Sequence, residues 1–209
     1  MTVIGSNKLA ENRRYRDFEN YVRTNADKVN LAHAGLGSAS HLCSLMWQTA
    51  MKLPKPLTTI AYKGTAPAMN DLLGGQVDMM CDQTTNTTAQ IEGGRVRAYA
   101  VTTLKPLTGN KALADLPTLD GLGLKGFNLT IWHGMYAPKG TPAPVLKKLN
   151  DALQVALKDP EFIKRQSELG AIVAGPSDKR VTPAGHKAFV ANEITKLKAA
   201  IDAAGQYAD

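Results

Sequence analysis

The sequence predicts an α/β fold, and three features of its first hundred residues lead to that prediction. Short apolar runs rich in β-forming residues alternate with amphipathic stretches of helical period. Glycine-containing loops separate the two kinds of segment. Each amphipathic stretch is long enough to cross from one strand to the next, which is typical of a parallel sheet with helical crossovers.

The expected elements follow one another in a regular order. A helix whose apolar face includes Tyr15 and Phe18 comes first, and Asn25 can end it. The four strands that we expect read VNLAHAG, LTTIAY, QVDMMCD and RVRAYAVTT, at residues 29–35, 57–62, 76–82 and 95–103. Helices should fill the gaps between them, with Thr65 as the N-cap of the helix before the third strand.

The chain changes character at about residue 104. Residues 104–130 are rich in Pro and Gly and predict an irregular connection, and NLTIWHGMYAP at 128–138 predicts one more strand. Three helices should follow, starting near Thr141-Pro142, Asp159-Pro160 and Thr182-Pro183. Because the earlier helices already cover their own sheet, the apolar stripes of these three are expected to belong to a different core.

Composition and charge narrow the class of protein. The net charge of +7 would suit a nucleic-acid partner, but Lys and Arg are scattered and no aromatic residues lie between them, so none is expected. No apolar run is long enough for a membrane helix. The first residues lack the basic start and apolar core of a secretory signal, so we expect either a cytoplasmic protein or a signal outside this sequence.

Cys43 and Cys81 are the two cysteines of the sequence. Neither lies in a CxxC pair or in a set with metal-ligand spacing, so no metal site is expected. Two buried thiols are the favoured interpretation. A disulfide is the alternative in an oxidising compartment.

The loop AHAGLGSASHL, residues 32–42, is the first candidate site. In parallel sheets ligands bind beyond the carboxyl ends of the strands, so the loops at 33–41, 62–66 and 82–88 should open on one edge. Gly35 and Gly37 permit backbone conformations in which successive N–H groups can surround an anion.

The helix that follows this loop should add to the anion site. Ser38 or Ser40 can cap it, and its N-terminus carries partial positive charge. A carboxylate suits such a site as well as a phosphate does. A nucleotide fingerprint would need a third glycine where Ser40 stands, and Ser40-His41 makes a poor nucleophile and base because adjacent helical residues diverge. His41 lies in the first helical turn, where lining the cleft and simple packing are both open.

The other two loops offer further polar groups. Tyr62 can supply a ring or a hydroxyl, Lys63 can attract an anion, and Gly64 allows close approach next to Thr65. Asp82 ends the third strand, where its side chain is expected to face a ligand at this edge of the sheet. A carboxylate there would repel an acid unless it meets an ammonium, a hydroxyl or an ordered water, and capping the next helix is its alternative role.

Several stretches together resemble a known family. The run YKGTAPAMNDLLGGQVDMMCD, followed by IEGGRVRAYAVTT, DLPTL, WHGMYAPKGTP and LNDAL, is similar to the solute receptors of tripartite tricarboxylate transporters, the Bug-type periplasmic binding proteins. The resemblance runs in order over nearly the whole chain. It is most specific from Tyr62 to Asp82.

This resemblance implies a two-lobed periplasmic-binding-protein-like α/β fold with a ligand cleft between the lobes. Residues 1–103 would form one complete parallel-sheet lobe, 104–130 a hinge connection, and 131–209 a returning strand and helices of the other lobe. Family members carry a signal peptide and roughly a hundred further residues before the point that matches Met1. We therefore expect that this sequence begins at an internal position and lacks most of the first lobe.

The resemblance also implies the function. The chain would capture a small carboxylate and deliver it to the membrane subunits of a transporter in the periplasm, with no cofactor and no catalysis. The ligand-binding residues would be Ala34, Gly35, Gly37, Ser38, Ser40, His41, Tyr62, Lys63, Gly64, Thr65, Asp82 and Trp132. Packing in the core is the alternative role of Trp132. A Rossmann-type nucleotide-dependent enzyme is the alternative function, although no acidic residue ends the second strand.

Overall fold

The computed structural model describes residues 1–9 and 14–204. The strands are β1 (Thr2–Gly5), β2 (Asn30–His33), β3 (Thr58–Ala61), β4 (Met79–Asp82) and β5 (Arg97–Val101). The helices are α1 (Tyr15–Thr24), α2 (Ala39–Met51), α3 (Thr65–Leu73), α4 (Thr84–Glu92), α5 (Lys111–Ala114), α6 (Ala143–Ala156), α7 (Pro160–Glu168) and α8 (Pro183–Ala204). The α/β prediction is confirmed.

One sheet with the order β3-β2-β4-β1-β5 organises the first hundred residues. β2 pairs in parallel with β3 and with β4, as the alternation of strand and helix predicted. β1 was not predicted, and it runs antiparallel between β4 and β5, so the sheet is mixed rather than parallel. Its four residues are all buried, and a short apolar run without alternation carries no periodicity by which to recognise it.

Helices cover both faces of this sheet. Successive side chains of β4 point to opposite faces, so Met79 and Cys81 join the core under α1 and α2, while Met80 joins the core under α3. In the larger core the ring of Phe18 stacks on Tyr99 with centroids 4.0 Å apart. These two cores hold the sheet between its helices.

The connection from residue 104 to 130 is largely irregular, as expected, and contains only the single-turn helix α5. The prediction of a strand at 128–138 is wrong, because these residues form no strand in the structure. Only the start of the segment is tied to the sheet: the N–H of Leu129 donates to the carbonyl of Thr102 at 3.0 Å. Residues 133–136 are exposed and no described backbone pairs with them, so this β-prone sequence forms no strand.

The C-terminal helices differ in what they contact. α6 and α7 contain no buried residue, although each carries an apolar stripe. α8 lies against α2, and its Leu197 and Ile201 pack on the larger core. Part of the α8 stripe is therefore covered by the sheet domain, contrary to the expectation that all three stripes belong to another core. Among the described helices, none is both long and apolar enough to cross a bilayer.

Candidate functional site

Three loops meet at the carboxyl edge of β2, β3 and β4. The N–H of Tyr62 donates to the carbonyl of His33 at 2.9 Å, and the N–H of Gly64 donates to the carbonyl of Ala34 at 3.2 Å. These bonds hold the loop after β3 against the loop after β2. The two parallel strands thus deliver their loops to one place, as the sequence predicted.

The loop of residues 34–38, here called the glycine loop, joins β2 to α2. Gly35 and Gly37 have φ values of 114° and 76°, which favour glycine. Ser38 is the N-cap of α2, and its hydroxyl accepts the N–H of His41 at 3.2 Å. The hydroxyl of Ser40 accepts the N–H of Ala34 at 2.8 Å, so the two serines fix opposite ends of the loop.

Two backbone N–H groups of the glycine loop already have acceptors within the loop and the first turn of α2. The N–H of Gly37 donates to Nδ1 of His41 at 3.3 Å, and the N–H of Ser38 donates to the carbonyl of Gly35 at 3.2 Å. Within the described residues, four neighbouring N–H groups have no acceptor: those of Gly35, Leu36, Ala39 and Ser40. Donors for an anion are therefore present, but they are shared between the loop and the first turn of α2 rather than supplied by successive glycine-loop residues.

A pair of histidine rings supports this turn. His33, which sequence reasoning did not single out, stacks on His41 with ring centroids 4.3 Å apart, and both side chains are buried. Burial lowers the pKa of both imidazoles, and the positive charge of one ring would further lower the pKa of His41. Because Nδ1 of His41 accepts the N–H of Gly37, this ring carries its proton on Nε2 when neutral. Because both pKa values are lowered, His33 and His41 are neutral beneath the glycine loop at neutral pH.

The second loop corrects the predicted helix cap and shows what the hydroxyl of Tyr62 contacts. Gly64, with a φ of 106°, is the N-cap of α3, and Thr65 is its first helical residue rather than its cap. The hydroxyl of Tyr62 donates to Oδ2 of Asp71 at 2.7 Å, and burial raises the pKa of this tyrosine to about 12. The hydroxyl of Tyr62 is thus hydrogen-bonded within the fold, and the ring is the part of this side chain available to line the candidate site. Lys63 is exposed.

Asp82 is the buried acid of this edge, with 4% of its surface exposed. Its Oδ1 accepts the N–H of Gln83 at 2.6 Å, while its Oδ2 is buried and has no close hydrogen-bond partner. Burial raises the pKa of this carboxyl, while longer hydrogen-bonding contacts with the side chains of Thr65 and Asn86 oppose that shift. Gln83, not Asp82, is the N-cap of α4, so capping does not account for this carboxylate.

Trp132 lies apart from these groups. Its ring meets Phe189 and His186 of α8 edge to face, with centroids 5.1 and 5.8 Å away. None of its described ring contacts involves the three loops. The structure thus brings together the predicted residues from Ala34 to Asp82 and places Trp132 against α8.

The two cysteines form a disulfide, so the preference for two free thiols is wrong. Cys43 of α2 and Cys81 of β4 are bonded, with α-carbons 6.0 Å apart. Cys43 follows His41 by two residues, and Cys81 directly precedes Asp82. Because the two cysteines are 38 residues apart, their spacing in the sequence does not indicate that they pair. Within the described residues no three side chains of His, Cys, Asp or Glu gather in a metal-binding group.

Comparisons with known proteins agree with this architecture. The family model described as tripartite tricarboxylate transporter family receptor matches residues 10–206. A UPF0065 protein of Agrobacterium vitis is 43% identical over 206 residues, which are 99% of this chain and 57% of that protein. The chain thus spans a little over half the length of this relative.

Two solved structures share the fold. The periplasmic binding protein BugD is 50% identical with a TM-score of 0.89, over 98% of this chain and 65% of that one. MatC from Rhodopseudomonas palustris, solved with bound malate, is 32% identical with a TM-score of 0.85, over 96% of this chain and 65% of that one. The family model covers nearly the whole chain, and this chain therefore belongs to the tripartite tricarboxylate transporter receptor family.

Proposed function

We propose that the chain forms the carboxylate-binding part of a solute receptor. The observation that carries the proposal is the group of acceptor-free N–H groups at Gly35, Leu36, Ala39 and Ser40, where the glycine loop meets the N-terminus of α2. Backbone N–H groups and the helix dipole stabilise a carboxylate there without a cationic side chain. The malate bound to the related MatC supports this choice of ligand class.

The receptor would have two lobes that close on the ligand. Residues 1–103 would form one lobe, 104–130 the connection, and 131–209 a segment that contributes to the other lobe. The exposed apolar faces of α6 and α7 support this division, because helices of a complete domain bury such faces. Closure would place the second wall of the cleft over the glycine loop.

The site of action would be the periplasm, with membrane subunits of a tripartite transporter as partners. The name of BugD as a periplasmic binding protein supports the location, and so does the disulfide, because disulfides persist in oxidising compartments. We propose no catalysis, since binding, closure and release need no bond to be made or broken.

The proline variant Ala39→Pro tests this function. Ala39 is the first residue of α2, where proline fits the helix but removes one of the four N–H groups. Ser38 already has an extended backbone, with φ −70° and ψ 161°, which suits a residue before proline. The control variant Ala39→Ser keeps the N–H at the same exposed position.

Isothermal titration of the 209-residue chain with malate, adipate and succinate provides the measurement. We expect at least one of these acids to bind, Ala39→Pro to weaken it about fivefold or more, and Ala39→Ser to change it less than about twofold. Equal affinities of the two variants would remove the helix N-terminus from the mechanism. Binding of NAD or ATP, together with no binding of any carboxylate, would overturn the proposed function.

A further inference from the structure

Two stacked imidazole rings contact the backbone of the glycine loop. The N–H of Gly37 donates to Nδ1 of His41 at 3.3 Å, and a longer hydrogen-bonding contact joins the backbone of Gly35 to His33. The ring centroids are 4.3 Å apart and the ring planes 26° from parallel, and the two residues are 1% and 5% exposed. Each glycine that turns the loop is therefore in contact with a side chain that titrates near neutral pH.

Protonation reverses the role of Nδ1 in His41. The neutral ring accepts the N–H of Gly37 at this atom, whereas both nitrogens of a protonated ring are donors. The N–H of Gly37 then loses its acceptor, and a glycine with φ of 76° allows the peptide to turn this N–H away from the ring. It would join the N–H groups of Leu36 and Ala39, which already have no acceptor among the described residues. Protonation thus adds a donor to the candidate anion site.

A protonated His41 also adds a positive charge beside this site. Residues 35–41 carry both the ring and the N–H groups that would hold an anion, so the charge acts across a short stretch of chain. The ring is buried, where water screens the attraction only weakly. An anion in turn stabilises the protonated ring and raises its pKa from the value that burial has lowered. Ligand and proton therefore strengthen the binding of each other by the same factor.

The neighbouring titratable groups do not already set the charge of the two rings. The elements packed around the pair are β4, the loop after β3, α3 and α8, and they carry Asp82, Tyr62, Lys63, Asp71 and the ion-paired Glu193 and Lys198. Burial is the main cause of the lowered pKa of both imidazoles, and the one charge that acts on His41 is that of His33. A carboxylate at the glycine loop would therefore supply a counter-charge that the described part of the fold does not.

We infer that carboxylate capture at the glycine loop is coupled to the uptake of a proton from solvent by His41, so that the chain binds its ligand more tightly as the pH falls. This inference rests on the proposed function. His33 is a positioning residue, because its ring stacks on His41 and keeps Nδ1 directed at Gly37. Above about pH 7 the ligand would bind to the N–H groups that the neutral loop offers, and below about pH 6.5 the added donor and charge would strengthen binding.

Titration calorimetry of the 209-residue chain with malate measures this coupling directly. At pH 6.5, PIPES and imidazole buffers differ in their enthalpy of ionisation, so the two observed enthalpies give the number of protons taken up per malate. We expect about 0.3–0.6 proton at pH 6.5, and an affinity about threefold higher at pH 6.0 than at pH 7.5. Adipate or succinate replaces malate as the probe if malate does not bind.

The variant His41→Asn should abolish the proton uptake and keep the binding. An asparagine oxygen can stand where Nδ1 lies and accept the N–H of Gly37, but it does not titrate. We expect uptake below about 0.1 proton and an affinity at pH 7.5 within about threefold of the wild type. His133→Asn is the matched control, because it removes an exposed imidazole outside the three loops and should keep the wild-type proton count.

Circular dichroism and thermal melting show whether each variant is folded. If His41→Asn does not fold, NMR titration of the four histidines of the unchanged chain decides the matter. One buried imidazole should then titrate at a higher pH with malate bound than without it.

The outcomes separate this inference from the proposed function. Binding without proton uptake, at equal affinity from pH 6.0 to 7.5, would overturn the coupling and leave the carboxylate function intact. Weaker binding at pH 6.0 would also overturn it, and would show that the neutral ring is needed to hold Gly37. Proton uptake that persists in His41→Asn would assign the proton to another group. No binding of malate, adipate or succinate would count against the proposed function itself, and the coupling would fall with it.

Discussion

The bond between Cys43 and Cys81 joins α2, whose N-terminus lies at the candidate site, to β4, which ends at the buried Asp82. Cys43 lies in α2 two residues after His41, and Cys81 lies in β4 one residue before Asp82. Both cysteines are buried, with 0% and 2% of their surface exposed. The disulfide therefore fixes the first turns of α2 relative to the carboxyl end of β4, the two elements that border the candidate site.

Removing this bond should reduce stability and loosen the site. For the double variant Cys43→Ala/Cys81→Ala, we expect the free energy of unfolding to fall by about 3–4 kcal/mol, because the bond closes a loop of nearly forty residues in the unfolded chain. Urea denaturation measures this loss. Chemically reduced wild-type protein is the control and should lose a similar amount. An unchanged midpoint in both samples would show that the bond does not constrain the unfolded chain.

The tight contact at Gly35 provides a second test. A Cβ at Gly35 would lie 3.1 Å from the carbonyl oxygen of Tyr62, on a backbone with φ of +114°. Gly123 has nearly the same φ, +110°, and nothing within 4 Å of such a Cβ. Gly35→Ala and Gly123→Ala therefore share the backbone strain, but only the first pushes the two site loops apart.

We expect both alanine variants to lose about 1–2 kcal/mol of stability, and only Gly35→Ala to weaken carboxylate binding as well, by about tenfold. Urea denaturation and calorimetry on the same samples separate the two effects. Equal binding by both variants would mean that the spacing of the glycine loop from Tyr62 does not matter for the ligand.

The stacked histidines should make stability fall on acidification. The pKa of His33 in the folded chain lies below its ordinary 6.5 because the ring is buried. The unfolded chain therefore binds a proton more readily, and stability decreases as pH falls below about 6.5 until the pH has passed the lowered folded value. His33→Phe keeps a ring against His41 without this titration. His133→Gln is the control, because His133 is exposed.

Denaturant unfolding from pH 7.5 to 5 gives the comparison. The slope of unfolding free energy against pH should be smaller in His33→Phe than in the wild type and unchanged in His133→Gln. A wild-type curve that is flat between pH 6.5 and 5 would contradict the burial argument. A His33→Phe curve as steep as that of the wild type would assign the acid sensitivity to other groups.

The sequence predicted those features that depend on local periodicity. β2 to β5, the helices between them and the convergence of the three loops follow from alternating patterns and from the rule for parallel sheets. Pairings between residues that are far apart in the sequence could not be predicted. β1 lies beside β4 only through tertiary packing, and Cys43 meets Cys81 only because α2 crosses β4. The strand expected at 128–138 failed because β-propensity does not form a strand without a partner backbone.

The candidate site shows the same division. Gly35, Gly37 and Ser38 could be identified from the sequence, because glycine and an N-cap serine have fixed roles between a strand and a helix. The hydrogen bond from the N–H of Gly37 to His41 could not be identified from the sequence, because it depends on the orientation of the imidazole ring. His33 offered a weak signal as the last residue of a strand, where a polar side chain often faces a site.

The exposed apolar faces of α6 and α7 lead to the last prediction. Val145, Leu146 and Leu149 on α6 are 40–45% exposed, and Phe162 and Ile163 on α7 are 39% and 40% exposed. Apolar side chains grouped in this way tend to associate or to bind apolar dyes. We therefore expect the 209-residue chain to self-associate at micromolar concentration or to increase the fluorescence of 8-anilinonaphthalene-1-sulfonate.

The double variant Leu146→Lys/Leu149→Lys should reduce that association or dye signal without loss of thermal stability, because neither α6 nor α7 has a buried residue to disrupt. Ala152→Lys/Ala156→Lys is the matched control, since it adds the same charge at exposed positions of α6 and removes no large apolar side chain. Light scattering and dye titration of the three proteins give the measurement. If both double variants lower the signal equally, net charge and not the apolar face causes the association. If the unchanged chain is a monomer that binds no dye, the apolar faces need no partner, and the proposed division into 1–103 and 131–209 loses its main support.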